Sequence, residues 1–446
     1  MESPKAATRS SCINFALNNF IYIRSEKMDR KSNSNGNKRN AKVNKNENDN
    51  KRYRKSDKNN KIFGVDINIA LLGIVSFLTD VSSEAIFSVF SIFFTAVLGG
   101  TTALLGIVEG LADFSASSLD YFSGAISDRT GKKKNLTILG YGLSTAAKSL
   151  LVFATTVPIA AIFRVVERLG KSIRGPPRDS LISSLSDEKT KGYSFGFHKT
   201  LDKAGAILGP LIAYLFFTIY PQTLDMFITF FAFMLIPAIL AVLLLFLVKE
   251  KKTKTTRRES IFEAYKTLSR NYKNYIMIAA LFSISYFSFG FLLLKAYDVG
   301  FGLNEVILLY SLFNISFVLV SIPIGKLGDR IGREKIILMS YLIYAVMCIG
   351  FIVANSKILI IGLFILYGVF YAIDEGQTKA FITDLEKEKK GTAIGLYNFI
   401  TGMAYLPASV IAGLLWSMNS AYTFVFAAFI SLIAFTAFLI KFIKIR

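Results

Sequence analysis

In 446 residues the chain has one histidine, His198, and two cysteines, Cys12 and Cys348. So few cysteines exclude a disulfide framework, and neither has metal-ligand company. Zinc sites and Cys–His catalysis are unsupported, and no convergent nucleophile set is evident. No enzyme activity, metal or bound cofactor is therefore expected. Charge is also scarce. Charged residues make up 19% of the chain and hydrophobic ones 52%, which excludes an ordinary soluble domain. Acidic charge is the scarcer sign, and the net charge is +21. In a soluble protein that excess would suggest nucleic acid. Here the basic residues cluster between apolar runs, as in the cytoplasmic loops of a membrane protein. The expected partners are a lipid bilayer and a small-molecule substrate, with no nucleic acid.

What the chain does have is a series of apolar runs, many near or beyond the roughly 20 residues that cross a bilayer. Twelve membrane helices are expected, at about 67–98, 102–126, 135–156, 158–175, 193–219, 225–248, 274–298, 304–325, 335–354, 357–377, 391–416 and 420–443. Several exceed the minimum span, which implies tilt or extension beyond the bilayer. The connections alternate in character. "SDRTGKKK", "KEKKTKTTRRES", "GDRIGREK" and similar loops are basic, whereas the other set holds a single lysine, Lys357. The positive-inside rule places the basic set and both termini in the cytoplasm, and an even helix count agrees. The fold class is all-α and polytopic: two six-helix bundles, at 67–248 and 274–446, joined by a basic linker at 249–273. Residues 1–66 are rich in Lys, Arg, Asn and Ser. They are expected to form a disordered, solvated basic tail, with contact to anionic lipid as the functional alternative. A transit peptide, or a true start at Met28, is the alternative for this segment.

The chain also repeats itself. "GAISDRTGKKK" (Gly124 to Lys134) returns about 200 residues later as "GKLGDRIGREK" (Gly325 to Lys335). Both copies have the same orientation, so this is a parallel duplication of six helices. The pattern resembles the signature between helices two and three of the major facilitator superfamily. It is carried by Gly124, Asp128, Arg129 and Gly131, and again by Gly325, Asp329, Arg330 and Gly332. Glu334 stands where the second copy usually has another basic residue. The resemblance covers the chain from about Ile67 to its end. It implies a secondary transporter with alternating access, its site between the halves near the midplane. It also implies that these loops take part in gating, beyond fixing orientation. A glycine near a helix end permits close packing, and a carboxylate there can meet a helix N-terminus or an arginine. Helix four carries "RVVERLG", similar to the family's second motif, whose arginine (here Arg164) is linked to proton coupling. Helix five carries Gly205, Gly209 and Pro210, similar to an antiporter motif except that Ala213 replaces its final glycine. Close helix packing explains that pattern equally well.

Charged groups inside spans cost roughly 2.5–3.5 kcal/mol each on insertion scales, so they should face a wet cavity or a partner. Asp80 and Glu84, four residues apart, share a face of helix one. Glu109 and Asp113 share a face of helix two. Lys148 lies on helix three, and Arg164 and Glu167 on helix four. These seven are the candidates for proton or substrate binding. Asp80 and Glu84 have three compatible roles: proton exchange, cargo binding, or pairing with a cation such as Lys148 or Arg164. The second half is plainer. Its central polar candidates for substrate contact are Tyr286, Asn314, Tyr367, Tyr371 and Asn398. The expected function is proton-coupled movement of a small organic solute by a monomer in the plasma membrane. The proton gradient is the expected energy source, and export or antiport is favoured over import or uniport of a small metabolite; a non-transporting receptor or scaffold on the same fold is the other alternative.

Overall fold

In lipid, a backbone must close its own hydrogen bonds, so each apolar run becomes a helix. The computed structural model describes residues 61–186, 190–250, 261–387 and 390–443. The first span is α1 (Ile67–Ile92), continued by a π-turn at Phe93–Val97. Next come α2 (Thr102–Ser118), α3 (Asp120–Thr130), α4 (Lys133–Leu151), α5 (Val157–Leu185), α6 (Lys191–Ile219) and α7 (Leu224–Leu245). After the linker follow α8 (Ile261–Thr267), α9 (Arg270–Ser283), α10 (Gly290–Asp298), α11 (Leu303–Ile331), α12 (Arg333–Val353), α13 (Lys357–Leu385), α14 (Lys390–Met418) and α15 (Ser420–Phe442). Eight of these stretches are long and apolar enough to cross a membrane unaided: α1, α6, α7 and α11 to α15. The other four expected spans are α4, α5 and two broken rods, α2 with α3 and α9 with α10. α4 and α5 are polar because they bury Lys148, Arg164, Glu167 and Arg174.

Most of the tail, including Cys12 and Met28, lies outside the described residues, as do linker residues 251–260. Residues 61–66, at the end of the expected disordered tail, form instead a short antiparallel pair, β1 (Lys61–Ile62) and β2 (Val65–Asp66). Its turn residues, Phe63 and Gly64, have φ of 52° and 78°, as a two-residue hairpin turn requires. From Asn68 onward the chain forms a separate compact unit.

Several helix bounds differ from the sequence reading; α11, for example, ends at Ile331 rather than 325. α5 does not stop at 175 but runs through Pro176 and Pro177 to Leu185. Pro177 cannot donate to the Ile173 carbonyl, and the Ser123 hydroxyl donates to that carbonyl instead, at 2.7 Å. α13 runs to Leu385 rather than 377, so much of the expected loop is helix. The seventh span is not continuous, since Ile284–Phe289 separates α9 from α10. Hydroxyls compete for its backbone. Ser283 Oγ donates to the Ala279 carbonyl (2.8 Å) and Ser285 Oγ to the Phe282 carbonyl (2.6 Å).

The first six spans meet the last six along two seams, α2 against α14 and α6 against α11. The first is a backbone-to-backbone approach. A Cβ on Gly106 would collide with the Ser409 carbonyl and lie 2.9 Å from Gly413 Cα, and one on Gly110 would lie 2.9 Å from the Leu406 carbonyl. Small residues are what allow two membrane helices to approach this closely. By contrast, Gly142 on α4 has nothing within 4 Å. Gly106→Ala is therefore expected to destabilise the protein by about 1–3 kcal/mol through overpacking, whereas Gly142→Ala should be neutral or stabilising by up to ~1 kcal/mol. Thermal melts of the two variants in detergent would show the difference. Equal melting temperatures would contradict this account of the seam.

Candidate functional site

Two helices of the first half carry complementary charges at the same spacing. Glu109 and Asp113 are one turn apart on α2, and Arg164 and Arg168 are one turn apart on α5. They join as two rungs. Arg164 Nε and Nη2 donate to the two oxygens of Glu109 at 2.7 and 2.8 Å, and Arg168 Nη2 donates to Asp113 at 2.5 Å. Glu109 is 0% and Arg164 5% exposed. A bidentate geometry is what such burial demands. The Arg164 guanidinium also lies 4.5 Å from the Phe87 ring centre, and Glu167 lies 3.7 Å from it on the same helix. A third donor comes from the other half, where Ser288, in the break between α9 and α10, donates to Glu109 Oε2 at 2.9 Å.

A cavity of about 780 Å3 is faced by both halves and lined in part by Asp113, Arg164 and Arg168 of these rungs. Phe90, Phe163 and Phe289 line its deep end, and Lys171, Asp179, Lys379 and Gly391 line it towards the end bearing the basic loops. Those last four are exposed. The opposite end is sealed. There Phe90 packs on Phe163 and Phe94 at 5.7 and 5.8 Å. Gly290 of α10 sits against the Ser91 hydroxyl of α1, where no Cβ would fit, and Asn304 donates to the Phe217 carbonyl at 3.2 Å.

Of the seven charged candidates, Asp80, Glu84, Asp113, Lys148, Arg164 and Glu167 line this cavity, and Glu109 lies behind it. Asp80 and Glu84 do share a face, but neither pairs with Lys148 or Arg164. Glu84 accepts the hydroxyl hydrogen of Tyr310 on α11, a bond between the halves. Lys148 is 1% exposed and donates instead to Ser82 Oγ at 2.9 Å. Arg164 is already engaged by Glu109 and, through Nη1, by Glu167. Tyr286, Asn314, Tyr367, Tyr371 and Asn398 all line the cavity. Tyr367 donates to Tyr286 at 3.1 Å. The Asn314 amide is partly spent on its own helix, donating to the Tyr310 carbonyl at 3.1 Å. The sequence reading missed Ser288 and Tyr310. Tyr310 had a signal, since it stands one turn from Asn314 in an apolar helix, whereas Ser288 is one serine among several.

The motif residues sit apart from the cavity. Gly131 caps α3 in the left-handed conformation (φ 65°) and donates to the Ser127 carbonyl. Gly332 also has positive φ (99°). Arg129, Asp329 and Arg330 are exposed. Asp329 accepts from Arg333 at 3.0 Å, and Arg333 also pairs with Asp384. Gly124 is buried. Gly325 corrects the expectation of close packing, because nothing lies within 4 Å of its Cβ position. Gly328 is the residue pressed against a neighbour, the Gln377 amide of α13. On α6, Gly205 and Gly209 both serve close approach: a Cβ on Gly205 would strike the Phe77 carbonyl, and one on Gly209 would lie 2.5 Å from that of Val81. Pro210 follows inside the helix.

Helical spans in two sets around a shared, charged cavity define a polytopic integral membrane carrier. Comparison with known proteins agrees. A model of the Major Facilitator Superfamily matches residues 72–304 and again 275–445, and the chain belongs to that family of membrane transporters. An uncharacterised MFS-type transporter of Methanocaldococcus jannaschii is 36% identical over 374 residues, which is 82% of this chain and 93% of that protein. Multidrug resistance protein MdtH of Photorhabdus laumondii is 32% identical over 127 residues, 28% of this chain and 31% of its own length. Among solved structures, the nucleoside transporter NupG superposes with a TM-score of 0.69 at 14% identity, covering 85% of this chain and all of NupG. A D-xylose–proton symporter gives 0.66 at 14%, covering 85% of this chain and 97% of the symporter. At that identity both show the fold alone.

Removing one member of the buried pair strands the other. Glu109→Gln or Arg164→Met alone is expected to cost about 3–5 kcal/mol, and the double variant less than the sum. A double-mutant cycle read by thermal melting in detergent measures the coupling. Additive losses would show that the pair is not a unit.

Proposed function

We propose that this protein moves a small organic solute across the plasma membrane by alternating access. Proton coupling drives the cycle, and export is the favoured direction. One observation carries the proposal: a cavity faced by both halves is sealed at one end and bordered by exposed residues at the other. With the basic loops in the cytoplasm, this is the inward-facing arrangement, both termini are cytoplasmic, and the solute site is near the midplane. The matched segment of a multidrug resistance protein supports export. A static receptor on the same fold would keep costly intramembrane charges with no task for them.

Asp80 and Glu84 are the proposed proton acceptors. As a carboxylate, Glu84 accepts the Tyr310 hydroxyl and so ties α1 to α11. Protonation removes its charge and weakens a charge-assisted bond between the halves. Proton binding thereby acts on the same closure that the solute does, and such shared bias is the basis of coupling. A ligand found by thermal-shift screening provides the test. In proteoliposomes it should accumulate uphill under an imposed pH gradient. Asp80→Asn combined with Glu84→Gln should abolish gradient-driven movement while leaving solute exchange. Uphill movement indifferent to both carboxylates would remove the coupling.

A further inference from the structure

Most carboxylates of the cavity are occupied. Glu84 holds Tyr310, Asp113 holds Arg168, Asp202 holds Ser76 and Lys199, and Glu375 of α13 also holds Lys199. Asp374, the residue before Glu375, differs. It lines the cavity, and among the described residues its carboxylate has no hydrogen-bond or ion-pair partner. Its surroundings are aromatic. Tyr286, Tyr367, Tyr371 and Tyr405 line the same cavity, and Tyr367 and Tyr371 stand on the Asp374 face of α13, two turns and one turn before it. The rings form a continuous surface. Tyr286 lies 5.5 Å from Tyr405, and Tyr367 lies 6.3 Å from Tyr371, centre to centre.

A ring face carries negative potential, and several faces beside a carboxylate make a field suited to a cation with apolar groups. The same wall already attracts one ammonium. Lys203 reaches across from α6 to place its Nζ 4.2 Å from the Phe317 ring centre and 6.0 Å from that of Tyr371. Lys379, five residues further along α13, also lines the cavity and is exposed. The cavity's volume, about 780 Å3, suits a drug-sized molecule rather than a bare metal ion.

We infer that this wall is a binding subsite for an organic cation, an amine or onium ion bearing apolar groups. Asp374 supplies its counter-charge, and Tyr286, Tyr367, Tyr371 and Tyr405 supply its apolar and π contacts. This names the class of the transported solute and rests on the cavity being the transport path. Equilibrium binding of radiolabelled tetraphenylphosphonium to the purified full-length protein in detergent tests it without any flux. Saturable binding is expected, weakened at least about tenfold by Asp374→Asn and several-fold by Tyr405→Leu, but not by Tyr405→Phe. Lys379→Gln should leave it intact or tighten it, and melting temperatures confirm that each variant is folded. Absent or non-saturable binding to the wild type, or unchanged binding in both Asp374→Asn and Tyr405→Leu, would overturn the inference. So would stronger binding of the anion tetraphenylborate. The two readings fail separately. Asp374-dependent binding with no flux in proteoliposomes would sink transport and leave the subsite, whereas flux of another solute without tetraphenylphosphonium binding would do the reverse.

Discussion

The buried pair of Glu109 and Arg164 is the constraint on which the rest of the structure turns. Taking two such ions out of water costs several kcal/mol each, repaid only by near-ideal geometry. The protein meets this demand with a bidentate contact, a ring beneath the guanidinium, and the Ser288 hydroxyl on the far oxygen. Those partners lie on α2, α5, α1 and the break between α9 and α10. The pair therefore joins three helices of the first half to the one interrupted span of the second. It also sits where the cavity ends and the sealed end begins.

Close packing extends that constraint outward. α2 carries Glu109 between Gly106 and Gly110, the two glycines that press it onto α14. A shift of the ion pair and a shift of the seam are thus shifts of the same helix. α6 is held to α1 in the same manner by Gly205 and Gly209, beside Asp80. Packed interfaces of this kind change by discrete rearrangement rather than by continuous bending. That property is what an alternating carrier needs from its seams.

The architecture was legible in the sequence because membrane helices announce themselves by length and composition, and the repeated Gly-x-x-x-Asp-Arg motif by its spacing. The charged groups were legible as a set for the same reason, since each stood out against an apolar run. Their pairing was only half legible. The spacing of Glu109 with Asp113 placed that pair on one face of helix two, but that this face meets Arg164 and Arg168 is a tertiary fact. Tyr310 as the partner of Glu84 and Ser288 as the partner of Glu109 come from the other half of the chain, some 180 to 230 residues away. No local pattern encodes a contact at that distance. Pro176 and Pro177 misled because local rules end a helix there, and only the structure supplies Ser123 to satisfy the freed carbonyl.

The central claim is that the two halves exchange closure between their ends about the Glu109 tie. Double electron–electron resonance between spin labels at Arg129→Cys and Arg330→Cys, one per half at the basic-loop end, tests this most directly. Cys12 and Cys348 would be replaced in that background. The account requires two distance populations whose ratio changes when Glu109→Gln removes the shared charge. A single distance, unchanged by that substitution, would contradict it.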